Sequence, residues 1–83
     1  MVRVRFFGLY RLDLKIDEMY IDAKNVNDLI KQLAEKFAPM KPKDFKDGVV
    51  FLNGEMIFKY KKKFRTPLKD GDEIMIMSPA SGG

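Results

Sequence analysis

Eighty-three residues with 46% hydrophobic and 34% charged side chains suffice for one folded domain with one core, and leave little interior for a deep, enclosed active site. Cysteine and histidine are both absent, which removes thiol nucleophiles, imidazole bases and the usual zinc ligands, so neither a self-contained enzyme nor a metal site is expected. The net charge of +4 reads as a charged, water-facing surface; no nucleic-acid readout motif accompanies it, and nucleic acid is not an expected partner.

In chain order, Val2, Val4 and Phe6 alternate with Arg3, Arg5 and Phe7, the period of a half-buried strand. Such a start is not a signal peptide, and no run approaches the ~20 apolar residues of a membrane span, so a cytoplasmic location without a membrane partner is expected. Gly8 punctuates the strand end. Leu12, Leu14 and Ile16 alternate as well, but Gly8 before them and Asp17-Glu18 after them leave residues 9–17 open. A second strand is predicted over 19–23, with Met19, Ile21 and Ala23 on one face, antiparallel to the first.

Asn25 is a good N-cap, with Asp28 three residues on, close to a capping box. Val26, Leu29, Ile30, Leu33 and Phe37 follow at the spacing of an amphipathic helix, which Pro39 and Pro42 stop. That helix needs a sheet to cover it. Residues 38–48 are expected as a loop. A short buried strand over 49–53 is closed by Asn53-Gly54, a dipeptide suited to a tight hairpin, with 56–60 as its partner strand. The basic run Lys61-Lys62-Lys63 reads as a solvated loop. Asp70 and Asp72 belong to a turn, and Glu73–Met77 alternates as a final strand. Residues 1–77 therefore form the domain and 78–83 a flexible tail. Strand, strand, helix, strand, short strand and strand make an α+β roll, a mixed four- to five-stranded sheet with one main helix on one face.

This order, the opening Val4-Arg5-Phe6-Phe7-Gly8, the Leu68–Ile74 turn and strand, and the closing Pro79-Ala80-Ser81-Gly82-Gly83 resemble the ubiquitin-like sulfur carriers with their β-grasp fold. Within them, the small subunit of molybdopterin synthase and its archaeal relatives are the closest match. The resemblance implies a carrier that is not itself an enzyme and binds no cofactor. An E1-like adenylating enzyme would use ATP and magnesium to adenylate the Gly83 carboxylate, and a sulfur donor would convert it to a thiocarboxylate. The large subunit of molybdopterin synthase would then receive it.

The residue types suit this role. A terminal carboxylate is anionic at neutral pH, and Gly82 and Gly83, lacking Cβ atoms, fit a narrow channel. Pro79 restricts the tail and Ser81 precedes the glycine pair. By alternation, Ile74 and Ile76 face the helix, while Met75 and Met77 face away, as does Phe7. With the first and last strands parallel, Phe7 and Met77 meet at the root of the tail as a docking patch, which Arg3, Arg5 and Arg11 flank. The alternatives are a modifier joined through Gly83 to target-protein lysines, a thiamin-pathway carrier, and a small basic RNA-binding module built on Lys61–Lys63.

Overall fold

The computed structural model describes residues 1–8 and 15–78. Strand β1 spans Val2–Phe7, with Val2, Val4 and Phe6 buried and the residues between them half-buried, as expected where one sheet face is covered and the other is not. Strand β2 spans Glu18–Ile21 and pairs antiparallel with β1, placing Val4 opposite Met19 and Val2 opposite Ile21. It stops two residues short of the expected strand because β1 begins at Val2, opposite Ile21; beyond it the Met1 carbonyl accepts from the Gly71 N–H and the Asp22 carbonyl from the Gln32 side chain.

Helix α1 spans Val26–Lys36. Asn25 caps it by accepting from the Asp28 N–H at 2.7 Å. The reciprocal bond is displaced by one residue: Asp28 accepts from the Lys24 N–H at 2.9 Å. Val26, Leu29, Ile30, Leu33 and Ala34 are buried against the sheet. The expected loop over 38–48 contains a second short helix, α2, Pro42–Lys46. Pro42 is preset for a first helical turn, and Asp44 accepts from the Lys41 N–H. Apart from burying Phe45 completely, this turn looks polar in sequence, which hides its amphipathic character.

Strand β3, Val49–Leu52, meets the short β4, Glu55–Met56, across Asn53-Gly54. Both turn residues have positive φ (50° and 86°), as this tight hairpin requires. β4 is shorter than expected because Ile57 turns inward, 1% exposed, and Tyr60 Oη donates to the Leu52 carbonyl at 2.7 Å. The chain continues as two 3₁₀ turns, Ile57–Lys59 and Lys63–Arg65. Strand β5 spans Glu73–Met77.

The sheet order is β2-β1-β5-β3-β4, with β5 parallel to β1 and antiparallel to β3. The two turns at the lower end are tied by Asp72, 6% exposed. It accepts from Asn53 Nδ2 at 3.0 Å and from the Lys69 N–H at 2.9 Å. This aspartate is structural, in keeping with the turn reading. Among the described residues, no helix is long and apolar enough to cross a membrane.

Candidate functional site

Helix α1 covers one face of the sheet, and no described helix covers the other. Because side chains alternate, strand register alone decides what that face presents. Phe7 lies beside Met77, and Met77 beside Val49. In the next row Arg5, Met75, Phe51 and Met56 lie side by side. The result is a contiguous band of half-exposed apolar side chains, with Met77 and Met56 at 40% and 41% exposure. The sequence reading names Phe7, Met75 and Met77, and the register brings all three together. It misses Val49, Phe51 and Met56. Val49-Val50-Phe51-Leu52 is apolar throughout, so periodicity cannot assign its faces until β5 sets the register.

Charge borders the band on the β2 side. Arg3 donates through Nε and a terminal nitrogen to both oxygens of Glu18, at 2.9 and 3.1 Å, and reaches Glu73 at 3.4 Å. The bond from Arg3 holds the Glu18 carboxyl below its ordinary range, and Glu18 in turn raises the Arg3 guanidinium. Arg5 lies over the Phe7 ring, 5.1 Å from its centroid. Arg3 is thus committed within the sheet, whereas Arg5 stacks on the band and extends it. Arg11 lies outside the described residues.

The band ends where β5 ends. The Ser78 N–H donates to the Phe7 carbonyl at 3.4 Å, continuing the parallel pairing one residue past Met77. Gly8 makes room there. Its φ is +69°, and a Cβ on it would stand 2.6 Å from Ser78 Oγ. The chain therefore leaves the sheet immediately beside Phe7 and Met77. Pro79, Ser81, Gly82 and Gly83 lie outside the described residues. Among the described residues no group of three or more carboxylates is placed to hold a metal ion. This face presents an apolar band bordered by Arg3, Arg5, Glu18 and Glu73, the composition of a protein-docking patch.

A five-stranded mixed sheet with the first and last strands parallel at its centre and one main helix across it is the β-grasp arrangement of ubiquitin-like proteins. The chain belongs to the ThiS family, whose model matches residues 4–83, and so to the ubiquitin-like sulfur carriers. Small carriers of this kind generally serve as partners of enzymes. The small archaeal modifier protein 1 of Methanosarcina acetivorans is 27% identical, with a TM-score of 0.84 over 99% of this chain and 95% of that one. A chain in the complex of subunits 1 and 2 of the molybdopterin-converting factor from Helicobacter pylori is 29% identical, with a TM-score of 0.65 over 99% and 97%. Urm1 of Trypanosoma brucei, 22% identical over 99% and 94% with a TM-score of 0.77, shares the fold. No curated protein matches the chain.

Proposed function

We propose that this protein carries sulfur as a thiocarboxylate on Gly83 and delivers it for molybdopterin synthesis, as the small subunit of a two-subunit synthase. The observation that carries the reading is the position of the chain's exit from the sheet, at Ser78, against the apolar band of Phe7, Met75 and Met77. A partner seated on that band has the tail root at its edge. The six residues beyond Met77 span at most about 20 Å when extended, enough to carry a carboxylate into a partner's active site. Ser81, Gly82 and Gly83 add little bulk to the end of that reach.

In the proposed reaction, a carboxylate oxygen of Gly83 attacks the α-phosphorus of magnesium-bound ATP in the activating enzyme, and pyrophosphate leaves. Sulfide-level sulfur then attacks the acyl carbon and AMP leaves, so one carboxylate oxygen is exchanged for sulfur. Met75, Met77 and Phe7 hold the two proteins together while this occurs, and Pro79 reduces the number of tail conformers to be ordered on binding. The likeness to a molybdopterin-converting factor subunit at 29% identity supports the synthase as acceptor.

A second reading is favoured by the likeness to a small archaeal modifier protein: the same adenylate transfers Gly83 to target-protein lysines. Intact-mass spectrometry after incubation with a cognate activating enzyme, ATP and a sulfur source tests both. The carrier reading expects a free chain in which sulfur has replaced one oxygen. Lysine adducts of higher mass, with no such free species, would replace it by the modifier. Deleting Gly83 should abolish either product and leave unfolding unchanged. An adenylate formed by the shortened chain would overturn the proposal.

A further inference from the structure

Beyond β4, the two 3₁₀ turns gather the molecule's positive charge. From Met56 to Lys69 the chain carries Lys59, Lys61, Lys62, Lys63, Arg65 and Lys69 and no Asp or Glu. Their charge exceeds the net +4 of the whole chain, so the rest of the molecule is net negative. All six side chains are exposed, and none forms an ion pair among the described residues. Like charges so close together repel, so the arrangement is unfavourable until an anion neutralises it.

The segment is exposed, as the sequence suggests, but it is held by specific anchors. Ile57 is buried in the core, Tyr60 is bonded to the Leu52 carbonyl, and the Thr66 carbonyl accepts from the Val26 N–H at the start of α1. The N–H groups of Tyr60, Lys63, Arg65 and Thr66 each close a turn onto the carbonyl three residues back. Phe58, next in sequence to Lys59, is 57% exposed. It rests edge-to-face on Phe64 at 5.5 Å, and Lys46 lies 5.2 Å above the Phe64 ring.

We propose that the 57–65 edge is a second binding surface, for single-stranded nucleic acid, with the lysines on phosphates and Phe58 stacked on a base. Composition chooses this occupant over an acidic protein. Protein interfaces favour arginine and deplete lysine. This edge is built mainly of lysines, point charges that suit a phosphate backbone. An exposed aromatic ring among them supplies the sequence-tolerant stacking of single-strand binders. The open sheet face has a different composition, with phenylalanines, methionines and arginines, and its outermost member, Met56, directly precedes this edge in the chain.

The test is fluorescence anisotropy of labelled oligo(U) with the full chain over a range of salt concentrations, with poly-glutamate as competitor. The expected result is binding that weakens linearly on a log–log salt plot, with a slope of about −0.7 per phosphate contacted. Lys61→Gln/Lys62→Gln/Lys63→Gln should flatten that slope by about two, as expected for three lost contacts. Phe58→Ala should weaken binding by about tenfold or more, as loss of one stacked base predicts, and leave the slope unchanged. Phe58→Ala gives up the contact with Phe64 and the triple variant relieves like-charge repulsion, so denaturant unfolding of both is recorded alongside to show that each is folded under the binding conditions. Salt-independent binding, unaltered affinity in the triple variant, or poly-glutamate competing as well as unlabelled oligo(U) would each overturn the proposal, the last in favour of an acidic protein.

Discussion

At the scale of single residues, Gly8 and Asp72 set the geometry of the two sheet ends. Gly8 occupies positive φ where the chain leaves β1, and the space its absent side chain leaves is filled by Ser78 Oγ. Gly8→Ala should therefore cost about 1–2 kcal/mol from the backbone alone, with a further loss because Ser78 must give way. Adding Ser78→Gly should recover only the second part. Denaturant unfolding of the two variants checks this, and an unaltered midpoint in Gly8→Ala would mean that the strand end relaxes freely. Asp72 resembles any turn aspartate in sequence, yet its burial and its bonds to Asn53 and Lys69 make it the link between two turns. Nothing local in the sequence tells such a residue from the exposed Asp70 two positions earlier.

At the scale of elements, legibility follows period. The β1 and β5 alternations and the α1 stripe each repeat over several residues, and each is found where the pattern puts it. Phe7, Met75 and Met77 could be placed on the open face because parity within a strand fixes direction. Val49 and Phe51 could not, since an apolar residue at every position has no parity to read. Helix α2 and the 3₁₀ turns are too short to show a period; α2 and the first turn each depend on a single inward residue, Phe45 or Ile57, and the second turn buries none.

The first 3₁₀ turn also yields a pH test. Partial desolvation, with the charges of Glu55 and Asp72 adding to it, pushes the Tyr60 phenol above its ordinary value. The folded phenol ionises later than the unfolded one, so its contribution is complete below about pH 10 and declines as pH rises from there toward the folded value. Tyr60→Phe should lose about 0.5–1.5 kcal/mol near neutrality with the bond to Leu52, and should then fall less steeply than the parent above pH 10. Denaturant midpoints across alkaline pH check the two slopes. Parallel slopes would mean that the phenol titrates alike in both states.

At the scale of the whole molecule, the sheet divides the labour. One face is spent on the core with α1. The other offers a protein-like band, Phe7, Val49, Phe51, Met75 and Met77, beside the chain's exit. Phe7→Ala should weaken binding to the activating enzyme by about 1–3 kcal/mol, read by calorimetric titration, with little effect on unfolding because Phe7 lies outside the core. Unaltered affinity would return Phe7 to the ordinary surface. The ThiS-family match and the likeness to carriers and modifiers give the fold, and the basic edge gives the same small body a region of different composition.

The central strand is also the last to be made of those described. Arg3 and Glu73, partners across the middle of the sheet, lie seventy residues apart in sequence. Such a closure must offset loop entropy before its contacts contribute, which slows folding. Until β5 inserts, β2-β1 and β3-β4 are separate hairpins with no hydrogen bonds between them, and both rows of the apolar band lack their middle members, Met77 and Met75. If the band docks a partner as proposed, that partner reads the closed sheet and not either hairpin alone, so a chain lacking β5 should lose this contact even where its hairpins form.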